Sequence, residues 1–119
     1  MKKTVLLLAA SAGLIGLAAT LYSHSRQRSS KPCRPLSTRS YRSQQKQRGR
    51  DVTLLEVDHI VPRVWGGADD PANYQLLPVS ENRRLGSSWG PAKCASVGKR
   101  RCKAAIEVST RCGTYLERW

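Results

Sequence analysis

The chain has no phenylalanine, one methionine and two histidines, His24 and His59. None of its four cysteines (Cys33, Cys94, Cys102, Cys112) stands in a C-x-x-C pair, which argues against a zinc ribbon or zinc knuckle. No internal repeat is present. Acidic residues are missing altogether from residues 23–50, which hold nine Lys or Arg. Residues 51–119 hold ten Lys or Arg against eight Asp or Glu, a net of only +2. The formal charge of +13 is therefore concentrated in a basic arm joined to a nearly balanced domain. Such an arm suits a polyanion, either nucleic acid or an anionic membrane surface; otherwise it is a solvated linker. With 119 residues, one small domain is the limit.

Residues 1–22 are the one long apolar run. Lys2 and Lys3 precede an apolar stretch from Thr4 to Tyr22, read as a signal peptide or a membrane anchor. As a helix it would be roughly 28 Å long, just enough to span a bilayer core. Gly16 and Ala18 offer a passable cleavage site. If the segment is uncleaved, Arg26, Arg28, Lys31 and Arg34 after it favour a cytoplasmic C-terminus.

An even cysteine count behind an export-like segment favours disulfides, with three connectivities open. Cys102 and Cys112 fall on one expected helix, about 15 Å apart, too far to bridge. Cys94 is therefore expected to bond one of them; the alternative is four reduced thiols.

Residues 23–50 are rich in Ser, Arg and Gln and poor in large apolar side chains, a composition expected to stay a flexible arm. Order is expected from Asp51, with residues 51–119 as the folded domain. VTLLEVDHIV reads as a strand ended by Pro62. RVWGGADDPAN reads as a loop and YQLLP as a second strand. A helix is expected from an N-cap at Ser80 towards Gly86, then an irregular GSSWGPAKC. A last helix covers about residues 98–112. Without Phe, Trp65 and Trp89 are expected as core anchors, with base stacking as the alternative.

Asp58 and His59 are an odd pair for the end of an apolar strand. Neighbouring strand side chains face opposite ways, so the two share a site only if the strand ends or bends there. Asn73 closes the loop and Asn82 falls early on the next helix, giving the spacing D-H-x13-N-x8-N. Taken singly, Asp58 reads as a turn residue, His59 as a half-exposed strand histidine, Asn73 as an Asx turn and Asn82 as a solvated helix residue.

Together, DHIVPRVWGGADDPANYQLLPVSENRRLG resembles the HNH endonuclease family, the ββα-metal nucleases, in an HNN-type variant. The resemblance rests on the Asp-His pair, the following Ile and Pro, the Gly-Gly loop, Asn73 before a Leu-rich strand, and a helix bearing Asn82 and basic residues. It covers about a quarter of the chain. Pro78 and Glu81 stand where many members have zinc-binding cysteines, so structural zinc is not expected and disulfides take over the clamping.

The resemblance implies an α+β fold: a small ββα-metal finger with an N-terminal signal or anchor helix, a basic flexible arm and a C-terminal cysteine-bearing helix. It implies His59 as general base, since a free imidazole, with a reference pKa of about 6.5, is mostly neutral at pH 7. Asp58 and Asn82 would hold a divalent metal; as oxygen donors they suit Mg²⁺ or Mn²⁺. Asn73 would pin the loop that holds His59. Arg83 and Arg84 could clamp phosphates, and Lys99, Arg100, Arg101 and Lys103 could attract the backbone more generally. The expected activity is phosphodiester hydrolysis in DNA, or RNA, with little sequence specificity, in the periplasm or outside the cell. The rival is an inactive HNH-like protein that only binds nucleic acid. A third reading is a membrane-tethered basic protein acting on anionic lipid.

Overall fold

The computed structural model describes residues 31–116; the apolar segment 1–22 and residues 23–30 of the arm lie outside them. Among the described residues, no helix is long and apolar enough to cross a membrane.

The arm is not structureless throughout. Thr38–Gln47 forms a helix, α1. Its polar composition argues against a helix folding alone, but the surroundings supply what it lacks. Ser37 caps it by accepting a hydrogen bond from the Ser40 amide at 3.1 Å. Tyr41 meets the Tyr74 ring edge-on, and Gln45 is buried. Arg42 donates to the Val52 carbonyl at 2.7 Å. Upstream, the Leu36 amide donates to the Asp69 carbonyl and the Arg34 amide to the Asp70 carboxylate. Tertiary partners thus override composition here.

Two antiparallel strands follow, β1 (Leu55–His59) and β2 (Tyr74–Pro78). Their register pairs Leu55 with Pro78, Val57 with Leu76, Asp58 with Gln75 and His59 with Tyr74. β2 has the expected bounds. β1 is shorter than the expected 52–61: Leu54 takes a left-handed φ of 62°, a turn residue, and Ile60 and Val61 leave the ladder for the core. The connecting loop contains two 3₁₀ turns, Arg63–Trp65 and Pro71–Asn73. Asp70 caps the second by accepting from the Ala72 amide.

Helix α2 spans Val79–Leu85 and packs on both strands. Pro78, not Ser80, sits at its N-cap, so it starts two residues earlier than expected. α3, Pro91–Val97, takes up residues 91–94 of the expected irregular stretch, while 86–90 stay outside any helix as expected; Pro91 sits in the first turn, where its missing N–H costs nothing. α4, Lys99–Cys112, lies within the expected 98–112. The result is a compact α+β unit whose β-hairpin and following helix are consistent with a ββα finger.

The core lies between the hairpin loop and α4. Ile60, Val61, Ala105 and Tyr115 are buried together, with Trp89, Val97 and Ile106 against them. Trp89 donates to the Tyr115 hydroxyl at 3.1 Å and is a core anchor, as expected. Trp65 is 42% exposed and is not.

Two disulfides clamp this small core: Cys94–Cys102, and Cys33–Cys112 across 79 residues of sequence. Cys94 thus bonds Cys102, one of its two expected partners. Closing loops of these lengths contributes about 2.5 and 4.5 kcal/mol through the unfolded chain in the entropic model.

Candidate active site

β1 presents Asp58 and His59 to opposite faces. Asp58 is buried, 6% exposed, beside its cross-strand partner Gln75, whose Nε2 donates to Oδ2 at 2.8 Å. His59 packs edge-on against Tyr74 and has 14% of its side chain exposed. The chain bends directly after His59, and both residues line one open cleft of about 290 Å³. Asn82 on α2 lines the same cleft, with Arg63 and Val64 from the loop. The spacing pattern of the sequence thus converges in space.

Asn73 lies behind the cleft, fully buried. Its Oδ1 accepts from the Val61 amide at 2.8 Å, and its Nδ2 donates to the Val61 and Ala68 carbonyls at 3.0 Å. The same loop needs Gly67, where a Cβ would come within 1.8 Å of the Val61 carbonyl oxygen. Together these tie the two ends of the loop to each other.

The loop delivers a residue that the sequence pattern did not single out. His59 Nε2 lies 2.7 Å from Asp69 Oδ1. A carboxylate there fixes the tautomer with the proton on Nε2 and leaves Nδ1 as the basic nitrogen. Asp69 also faces Arg63 at 3.6 Å and accepts from the Tyr74 hydroxyl at 3.3 Å. The hydrogen bond from His59 holds its pKa below the usual carboxylate range; burial opposes this, and Arg63 adds to it. Burial, with the Asp69 charge beside it, pushes the Tyr74 phenol up.

A depressed Asp69 pKa stabilises the fold fully above the unfolded carboxylate value and loses that contribution as pH falls through the lower folded value. Asp69→Asn should therefore be less stable than the parent near neutral pH and converge with it below pH 3.8. Because the Asp69 side chain is 46% exposed, the gap should be small, on the order of 0.5 kcal/mol. Thermal unfolding followed from neutral pH into acid checks this.

Two further acids and bases complete the surroundings. Asn82 Nδ2 donates to Glu56 Oε2 at 2.8 Å, which turns its carbonyl oxygen away from Glu56. Lys93, from α3, is buried against Asp58, 3.2 Å from Oδ2. Arg83 and Arg84 are exposed on α2; Arg83 approaches Glu56 at 3.9 Å. Lys99, Arg100, Arg101 and Lys103 are exposed on α4 and do not line the cleft. Arg101 donates to the Tyr74 carbonyl at 3.3 Å. Asp69 left a signal in the sequence, as an acid in the glycine loop facing the strand's only histidine. Lys93 left none, being 35 residues from Asp58.

The donor set is compatible with a hard divalent cation. Asp58 Oδ1 accepts only the 3.4 Å hydrogen bond from Lys93, and the Asn82 amide is oriented by Glu56. Among the described residues no three His, Cys, Asp or Glu side chains form a metal-binding group, so such an ion would take most of its ligands from water and substrate.

Residues 44–87 match the family model for HNH endonuclease. No curated protein and no solved structure matches the chain. The matched stretch runs from the end of α1 through β1, the loop, β2 and α2, and contains every residue of the cleft. Residues 44–87 are an HNH endonuclease domain.

Proposed function

We propose that the chain is a divalent-metal-dependent endonuclease that hydrolyses phosphodiester bonds of DNA, and of RNA as a second substrate, with little sequence specificity. The observation that carries this is the convergence of Asp58, His59 and Asn82 on one open cleft, with His59 oriented by Asp69.

His59 Nδ1 takes a proton from a water molecule as the water oxygen attacks phosphorus. The P–O3′ bond breaks, and the 3′ oxygen leaves with a proton drawn from solvent. Asp69 stabilises the imidazolium formed on His59. Asp58 and Asn82 would hold the metal, which would neutralise charge developing on the phosphate and the leaving oxygen. Arg63 at the rim of the cleft, with Arg83 and Arg84 on α2, holds the flanking phosphates. The sequence suggests no base-reading element, so affinity is expected to come from the backbone and to fall steeply with salt. The two disulfides suit an oxidising, extracytoplasmic setting, where a non-specific nuclease does not endanger its own genome.

One observation favours the non-catalytic reading: the Lys93 ammonium already stands against Asp58. A supercoiled plasmid incubated with the oxidised protein separates the two. Nicking with Mg²⁺ or Mn²⁺ that EDTA stops is expected; retained binding with no cutting in either metal would establish the binding protein instead.

A further inference from the structure

Lys93 lies outside the matched residues 44–87, on a helix of only 7 residues. On so short a helix a lysine ordinarily extends into solvent. Here its side chain is 3% exposed. Burying an ammonium is costly unless its charge and protons are met, and here two hydrogen bonds and an ion pair meet them. Nζ donates to the His59 carbonyl at 2.9 Å and to Asp58 Oδ1 at 3.4 Å, and lies 3.2 Å from Oδ2 as an ion pair. A single charge therefore grips both members of the Asp58–His59 pair, one by its side chain and the other by its main chain. The neighbouring residue, Cys94, is bonded to Cys102 of α4, which fixes the helix that delivers the lysine.

This arrangement constrains Asp58. Oδ2 is taken by Gln75 at 2.8 Å and by Lys93. Oδ1 accepts the longer hydrogen bond from Lys93. A cation reaching Asp58 from the cleft thus meets a carboxylate that already has a partner on each oxygen and a positive charge beside it.

We propose that Lys93 is a positioning residue of this site and sets its metal affinity. It fixes the Asp58 carboxylate and the His59 main chain, and keeps divalent binding weak by repulsion and by competing for the carboxylate oxygens. The proposal rests on the reading of Asp58 as a metal ligand.

The test measures Mn²⁺ binding by calorimetry to the full oxidised chain without nucleic acid, in the parent and in Lys93→Gln, Lys93→Arg and Asp58→Asn. Lys93→Gln removes the charge and keeps donors for Asp58 and His59; it should bind Mn²⁺ about tenfold more tightly, as loss of a nearby like charge requires. Its cleavage rate at saturating Mn²⁺ should fall because the pair is less well held. Lys93→Arg keeps the charge and should stay near the parent affinity. Unchanged affinity in Lys93→Gln, with Mn²⁺ binding that Asp58→Asn abolishes, would overturn the role of Lys93 and leave the metal site standing. Absence of Mn²⁺ binding in the parent would instead remove the metal-ligand reading and this proposal with it. Should Lys93→Gln not fold, the parent still decides. Bound Mn²⁺ should broaden the Lys93 ammonium signal in NMR, and a sharp signal with Mn²⁺ bound overturns the proposal.

Discussion

His59→Ala should lower the rate of plasmid cleavage by about a thousandfold, the middle of the range for loss of a general base. His59 is the only imidazole among the described residues, so no neighbour can take over proton abstraction. Binding should survive, because the basic side chains that attract the backbone are untouched. Asp69→Asn should cost less, about 10- to 100-fold. An amide can donate to Nε2 and so favour the wrong tautomer, but Asp69 is half exposed and water can partly replace it. The double variant should be no slower than His59→Ala alone, because Asp69 acts only through the imidazole. Single-turnover rates for the four proteins measure this coupling. If Asp69→Asn slows the His59→Ala protein as much as it slows the parent, the pair does not act as a unit.

The convergence of the candidate residues was more legible in the sequence than the frame around them. Asp58, His59, Asn73 and Asn82 are held by short-range geometry: a hairpin, its loop and one following helix. Their spacing therefore carries their placement. The residues that support them come from elsewhere. α1 could not be read from TRSYRSQQKQ, because its stability lies in Tyr41 on Tyr74, Arg42 on Val52 and the disulfide from Cys33. α3 was announced only by Pro91 after Gly90, a signal of where a helix can start rather than that one does. The early end of β1 depends on Ile60 and Val61 being drawn to Ala105 and Tyr115, contacts more than 40 residues away in sequence. Lys93 is the sharpest case. Nothing local distinguishes a buried counter-ion from a solvated lysine; the difference is a carboxylate on another element.

That dependence on the frame makes Asn73→Ala the substitution expected to cost most stability. The alanine would leave the Val61 amide and the Val61 and Ala68 carbonyls without the partner each has now, in a place that water does not reach. At roughly 1–3 kcal/mol for each orphaned group, with some relaxation, the loss should be about 4 kcal/mol, a large share of a small domain's stability. Urea unfolding measures it. Hydrogen exchange should show the damage first at residues 60–70, because the loop that carries Asp69 opens before the disulfide-clamped helices do. Asn73→Asp gives the sharper comparison, since it has the same shape. It keeps the acceptor for the Val61 amide but turns a carboxylate oxygen towards two carbonyls, with Gly67 packed too closely to let water intervene. It should therefore be at least as damaging as alanine. If Asn73→Asp is instead close to the parent in stability, the hydrogen bonds from Nδ2 do not hold this loop, and the positioning of His59 must come from the Ile60 and Val61 packing alone.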